Sequence, residues 1–447
     1  MAIVRLSCVV NNYHWGKHGL SSKAAQFAAT NPDVTIDSTQ AYSELWMGTH
    51  PSGPSKVYST DTKLSTLIEK DPTGALGPSV ERKFGPQLPF LFKVLSIETA
   101  LSIQAHPDKA LAGRLHKERP DVYRDDNHKP EMSIALTQFA AMSGFRPLEQ
   151  IAGFLDAYRE FRALVPQTAD GFSQIVSASS SADEGEKKAA LRRLFAELMG
   201  ASSDDVATQL DHLVKRILQT KGDPSLPASA TKATAVVDEL VLRLSTEYPG
   251  DVGVFCVFML NVLQLSPGEA FFMGPNDPHA YLSGDCIECM ATSDNVVRAG
   301  LTPKMRDVDV LVDMLTYDFG TPQAKLLEPT AFARGTGGRT VVYDPPIDEF
   351  AVACTRLLPD EEETVESMQG PQIVIVVQGS GRLTSSGGSG GADDSSFDVH
   401  PGYVYFVYPG TSYTLRAVAD SKDGGGQSQQ QQQQQQQLVT YTAFCLA

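Results

Sequence analysis

An internal repeat constrains the fold of this chain more than any other feature. Pro267-Gly268-Glu-Ala-Phe-Phe-Met-Gly-Pro275 recurs as Pro401-Gly402-Tyr-Val-Tyr-Phe-Val-Tyr-Pro409. Each copy reads as a Pro-Gly turn, a short strand, and a proline that leads into the next turn. Ahead of the second copy, Ile373-Val-Ile-Val-Val-Gln-Gly-Ser-Gly-Arg-Leu reads as a buried strand followed by a glycine turn. Turn and strand units of this kind build double-sheet jelly rolls.

The fold expected is mainly β with α: two cupin-type jelly-roll β-barrels plus an inserted helical domain. Residues 1–147 mix strand-like runs such as Phe90-Leu-Phe-Lys-Val-Leu-Ser-Ile with the helical stretch Lys109-Ala-Leu-Ala-Gly-Arg-Leu-His, and form the first part of a catalytic barrel. Over 148–249 the apolar period turns helical, as in Leu191-Arg-Arg-Leu-Phe-Ala-Glu-Leu-Met and Leu210-Asp-His-Leu-Val-Lys-Arg-Ile-Leu. Strand patterning is expected to resume at Gly253-Val-Phe-Cys-Val-Phe, so 250–330 completes the catalytic barrel and 331–447 forms a second one without metal. Ser177-Ala-Ser-Ser-Ser-Ala-Asp-Glu-Gly-Glu reads as a mobile loop. Ser385 to Ser396 and the stretch from Gly424 through the glutamine run Gln429 to Gln437 read as flexible hairpin tips.

With 53 acidic against 37 basic residues and a net charge of -16, the chain is no general binder of nucleic acid or of membrane surfaces. An anionic substrate therefore needs a local basic pocket. The start, Met1-Ala-Ile-Val-Arg-Leu-Ser-Cys, lacks the pattern of a signal peptide, and no apolar run approaches the roughly 20 residues that cross a bilayer. A soluble, cytoplasmic, monomeric protein is expected.

Leu101-Ser-Ile-Gln-Ala-His-Pro-Asp carries the chemistry. In a strand Ser102, Gln104 and His106 share one face while Ile103 and Ala105 take the other. Glu131, in Asn127-His-Lys-Pro-Glu, and His279, in Gly274-Pro-Asn-Asp-Pro-His, supply two further donors. Two imidazoles and a carboxylate suit zinc or another divalent metal, and the neutral amide of Gln104 leaves the ion a strong Lewis acid. Four residues past each repeat's final proline, the first copy has His279 and the second Tyr413, so the second barrel has lost its site. Cys286-Ile-Glu-Cys289 has the spacing of a metal or redox pair, but no second pair accompanies it and both are read as small apolar residues.

Several segments together resemble type I mannose-6-phosphate isomerase, also called phosphomannose isomerase: Tyr42-Ser-Glu-Leu-Trp-Met-Gly-Thr-His-Pro-Ser-Gly-Pro, Leu88-Pro-Phe-Leu-Phe-Lys-Val-Leu, Leu101-Ser-Ile-Gln-Ala-His-Pro-Asp, Asn127-His-Lys-Pro-Glu, and Ser293-Asp-Asn-Val-Val-Arg-Ala-Gly-Leu-Thr-Pro-Lys. The likeness runs from about residue 10 to 317 and departs at Tyr13-His-Trp-Gly16, where the family commonly has Tyr-Asp-Trp-Gly. It implies an enzyme with one Zn2+ per chain, held by Gln104, His106, Glu131 and His279. Its partner would be a small-molecule sugar phosphate: mannose 6-phosphate and fructose 6-phosphate are interconverted through a cis-enediol, supplying mannose for GDP-mannose and glycosylation. The resemblance places Arg298 at the active centre, where a guanidinium stabilises charge rather than moving protons. Proton-transfer candidates by position are His128, Lys129 and Glu288, and Lys93, Ser102, Tyr281 and Lys304 are expected substrate contacts. A non-haem metal oxygenase shares the two histidines and carboxylate, but Gln104 fills a position that chemistry leaves open. A silent sugar-phosphate sensor would not need the intact donor set with Arg298.

Overall fold

One long strand, His279–Ala291, organises the first β unit. Its beginning pairs with Phe139–Phe145 and, at His279, with Gln104. From Gly284 onward it pairs with Phe90–Ile97 on one side, and from Cys286 with Glu131–Ala135 on the other. The partners change near Gly284, whose φ is +110° and where a Cβ would stand 2.5 Å from the Gln138 carbonyl oxygen, so only glycine fits. The computed structural model describes residues 2–178, 183–220, 232–386, 395–419 and 437–446.

Around this strand lies a ten-stranded sheet that includes Glu44–Met47, Ile103–Ala105, Ala270–Met273 and Val297–Gly300. The second unit has an eight-stranded sheet, in which Thr340–Tyr343, Ala351–Leu357, Leu438–Phe444, Gln372–Gln378 and Val404–Val407 follow one another, facing a four-stranded sheet. Val374, Leu383, Tyr405 and Leu415 fill the space between those two sheets. On its other face the eight-stranded sheet lays Val352, Ile373, Ile375 and Phe406 against Phe92, Met132, Ile134 and Ile287 of the first unit. The period-2 alternation of each strand makes this possible, because one face serves one core and the opposite face the other.

The mainly β architecture with inserted helices is as expected, and among the described residues no sheet closes on itself, Val9–Asn11 and Leu260–Leu265 being edges of the larger sheet. Two expectations need correction. The N-terminal strand Ile3–Ser7 pairs with Val404–Val407, so the chain begins in the second unit's sheet, which local patterning did not reveal. Val252–Phe258 is a buried 3-10 helix, not a strand. There the Asp251 carboxylate accepts from the Gly253, Leu301 and Thr302 amides, and Gly253 packs so closely on Gly300 that a Cβ would stand 2.5 Å from the Leu301 nitrogen. That side-chain bonding replaces a strand ladder.

The repeat is structural. Gly268 and Gly402 have φ of +92° and +91°. Their amides donate to the Ala135 and Val376 carbonyls, each at 2.8 Å. The following strands keep the same register, Met273 opposite Glu131 and Val407 opposite Gln372. Gln372 thus stands in the second copy where Glu131 stands in the first. Its buried amide has no hydrogen-bond partner, and Tyr413, in the place of His279, is packed in the core.

Helices Leu148–Ala157, Arg159–Ala163, Ala169–Ser177, Glu184–Met199, Ser203–Thr220 and Lys232–Glu247 lie between strand Phe139–Phe145 and the 3-10 helix. They bury the predicted apolar positions, among them Leu191, Leu194, Leu198, Leu210 and Leu213. Asp183 caps Glu184–Met199 by accepting from the Glu186 amide at 2.7 Å, so part of the expected loop over 177–186 is helical. The rest of it, 179–182, and most of the Gly/Ser segment and the glutamine run lie outside the described residues.

Candidate metal centre and cleft

Strand Ile103–Ala105 sends Ile103 and Ala105 into the core with the helices, which leaves Gln104 on the open face and His106 at the strand's end. Gln104 pairs with both His279 and Arg298, so three sequence-distant residues meet by register alone. Glu131 opens the strand Glu131–Ala135 on the adjoining side of His279–Ala291. His106 Nε2 lies 3.4 Å from one Glu131 oxygen and His279 Nε2 lies 3.3 Å from the other. Ligand atoms of the three residues all fall within 4.8 Å of one another, the only such cluster of His, Cys, Asp and Glu among the described residues.

The second nitrogens decide what these histidines do. His106 Nδ1 lies 2.7 Å from the Asn295 carbonyl and His279 Nδ1 3.0 Å from the Asp277 carbonyl. A carbonyl only accepts, so each Nδ1 carries the proton and each Nε2 presents a lone pair. Both Nε2 atoms and the Glu131 Oε2 are buried without a hydrogen-bond partner. Three buried donors aimed at one point, each orphaned, fit a divalent metal. Burial pushes the His106 imidazole down to about 4, against the opposing pull of Glu131. Burial would raise the Glu131 carboxyl, but Lys129, at 3.2 Å, and His106 outweigh it and hold the carboxyl well below its usual range. Neutral imidazoles and an ionised carboxylate are the ligating forms.

A cleft of about 580 Å³ opens over Gln104 and Glu131. On its wall Lys93 Nζ contacts Glu288 at 2.9 Å and lies 5.3 Å from the Trp46 ring, while Tyr281 donates to the other Glu288 oxygen at 2.7 Å. Glu288 and Lys93 are direct cross-strand partners. Burial alone would lower the Lys93 ammonium, yet Glu288 and Glu44 raise it above its ordinary value, so it stays charged. The Arg298 side chain is half-buried and makes no hydrogen bond or ion pair among the described residues, and burial lowers its guanidinium from its usual value. Lys304 and Arg124 are exposed cations at the same cleft.

Among the sequence-predicted residues, Gln104, Glu131, Lys93, Lys129, Tyr281, Glu288, Arg298 and Lys304 line the cleft, and His106 and His279 lie beneath it. Two do not come to it. His128 turns to Glu349, with Nε2 2.5 Å from its Oε1, because Pro130 lies between the two ends of the segment and strand alternation does not apply there. Ser102 precedes the strand and does not line the cleft. Sequence reasoning missed Glu44, Trp46, His50 and Asp294. Glu44 is buried and accepts from Trp46 Nε1 at 2.8 Å, and burial raises its carboxyl above the ordinary range. His50 Nε2 lies 3.4 Å from Asp294. The available signal was the alternation of Glu44 and Trp46 on one face of a short apolar strand.

Cys286 and Cys289 are buried free thiols raised by burial, packed in separate apolar clusters.

Comparison with known proteins agrees with this geometry. Residues 3–148 match the phosphomannose isomerase type I catalytic domain, 164–260 its helical insertion domain and 340–388 its C-terminal region. The chain is 40% identical to mannose-6-phosphate isomerase of Schizosaccharomyces pombe over 99% of both chains. It is 45% identical to that of Cryptococcus neoformans, over 93% of this chain and 96% of the relative. A point variant of phosphomannose isomerase from Salmonella typhimurium superposes over the whole of both chains with TM-score 0.77 at 28% identity. A mannose 6-phosphate isomerase solved with zinc and yttrium does so with TM-score 0.76 at 27% identity.

Proposed function

This chain belongs to the type I phosphomannose isomerase family, and on that premise we propose a zinc-dependent isomerase that interconverts mannose 6-phosphate and fructose 6-phosphate through a cis-enediol. The observation that carries the zinc reading is the convergence of three orphaned, buried donor atoms at the base of the cleft. Gln104, His106, Glu131 and His279 would hold one ion. When bound, it supplies Lewis-acid stabilisation of the negative charge that develops on O1 and O2 of the sugar.

The remaining roles belong to the chain's own groups. Arg298, unpaired beside Gln104, offers a planar fork to developing oxyanion charge or to the phosphate. Lys304 and Arg124 at the mouth attract the phosphate in an otherwise acidic protein. Glu288, which accepts from Lys93 and Tyr281, moves the C2 proton, and Lys129 sits against Glu131 and contacts substrate oxygens. Tyr13 and Trp15, stacked with ring centroids 5.9 Å apart, wall the cleft against water. The helical segment is an insertion between the two parts of the catalytic unit, and the C-terminal unit carries no metal.

No helix among the described residues is long and apolar enough to cross a membrane. We further propose a cytoplasmic monomer acting on a free sugar phosphate, with its product serving GDP-mannose synthesis and glycosylation. The mechanism is tested with Glu288→Gln and mannose 6-phosphate deuterated at C2. The substitution should lower kcat on the order of 100-fold with a small change in KM. An unchanged kcat and isotope effect would remove Glu288 from the role.

A further inference from the structure

The strand that carries Glu131 is tied at both ends to the second unit. Upstream, His128 Nε2 meets Glu349 Oε1 at 2.5 Å, and Glu349 lies just before strand Ala351–Leu357. The imidazole side chain is 19% exposed and the carboxylate 12%, so the contact is largely shielded from water. Downstream, the Gly268 amide donates to the Ala135 carbonyl at 2.8 Å, which closes the end of strand Glu131–Ala135. The Gly268 carbonyl in turn accepts from the Tyr343 hydroxyl at 2.6 Å. A Cβ at Gly268 would stand 2.8 Å from the Arg356 guanidinium, so the turn seats directly against the second unit. Tyr343 lies in the sheet that holds Gln372, and Glu349 just before that sheet's strand Ala351–Leu357, in the unit where Gln372 and Tyr413 stand in place of Glu131 and His279.

We propose that Glu349 and Tyr343 are positioning residues for the metal centre: the second unit clamps the Glu131 strand at both ends and fixes the carboxylate against the two imidazoles. This rests on Glu131 being a ligand. Groups that orient a ligand are felt in metal affinity and turnover because a tight ligand set tolerates little drift. The clamp gives the unit that lacks a metal a part in the reaction, without touching substrate.

The test uses full-length zinc-loaded protein carrying Glu349→Ala, Glu349→Gln, Tyr343→Phe or Lys83→Ala. Lys83 pairs with Asp348 at 2.7 Å in the same segment and serves as control. Zinc retention against a chelator, kcat and KM for mannose 6-phosphate, and thermal unfolding are measured for each. Glu349→Ala should lose zinc about ten times faster or more and lose kcat in step, with KM little changed. Glu349→Gln, which keeps an acceptor for His128, should recover most of both. Tyr343→Phe removes one oxygen and keeps the ring, and should show a smaller loss of the same kind even if Glu349→Ala fails to fold. Lys83→Ala should alter unfolding at most.

Wild-type zinc retention and kcat in Glu349→Ala and Tyr343→Phe would overturn the clamp, as would equal losses in Lys83→Ala. If Glu131→Ala itself keeps zinc, the ligand assignment fails first. If Glu131→Ala loses zinc while the clamp variants do not, the clamp alone is wrong.

Discussion

His106 Nδ1 sits 2.7 Å from the Asn295 carbonyl, and that contact aims the opposite nitrogen at Glu131 and His279. Asn295 is itself fixed, its amide donating to the Asp125 and Asn127 carbonyls at 2.8 and 3.0 Å. Asn127 stands on the segment that leads into Glu131, so one asparagine ties two arms of the candidate metal centre together.

Removing a donor should therefore empty the site. His106→Ala, Glu131→Ala and His279→Ala should each abolish bound zinc and isomerase activity while circular dichroism stays near wild type. Losing one ligand should cost several kcal/mol of metal affinity, on the order of the share one ligand has in a four-ligand zinc site. Elemental analysis of the purified variants reads the first effect and a coupled assay the second.

Acid should weaken the metal-free protein through His106. Its folded value of about 4 lies below the ordinary 6.5, so the unfolded chain binds the extra proton first. This contribution is complete above pH 6.5 and is lost as pH falls towards about 4. Urea unfolding of the chelator-treated protein across that window should show falling stability, and His106→Gln should flatten the slope. A stability that rises on acidification would contradict the buried neutral imidazole.

The Arg298 and Lys304 roles separate by kinetics. Arg298→Lys keeps charge but not the fork, and should lower kcat on the order of 100-fold with little change in KM. Lys304→Ala should chiefly raise KM, and should matter far less for mannose without its phosphate. Equal harm with and without the phosphate would take Lys304 off the phosphate.

Changing Cys286 and Cys289 together to Ala should cost stability, about 1 kcal/mol per lost buried sulfur, and leave zinc content and kcat near wild type. Deleting Gln429 to Gln437 should do the same for activity. Tyr413→His should bind no metal, since Gln372 stands where the first copy has Glu131.

Much of the site was legible because short-range patterns determine it. Alternation in Leu101 to His106 separated the core residues Ile103 and Ala105 from the donors, and the Pro-Gly repeat aligned His279 with Tyr413. What escaped depends on pairing across long distances in sequence. Trp46 opposes Lys93, and Glu44 opposes Leu95, only through the register of Glu44–Met47 on Phe90–Ile97. His128 looks as available as Lys129 until Glu349 arrives from the second unit. Likewise Ile3–Ser7 joins its sheet through a partner near the other end of the chain, and nothing in its own five residues says so.

The most direct measurement is zinc content and turnover of mannose 6-phosphate on the same preparation, before and after a chelator and after zinc is restored. One zinc per chain, loss of activity as the metal leaves, and recovery on its return are the expected results, with His279→Ala unable to recover. Full activity in the stripped protein, or full zinc and activity in His279→Ala, would contradict the metal centre at His106, Glu131 and His279.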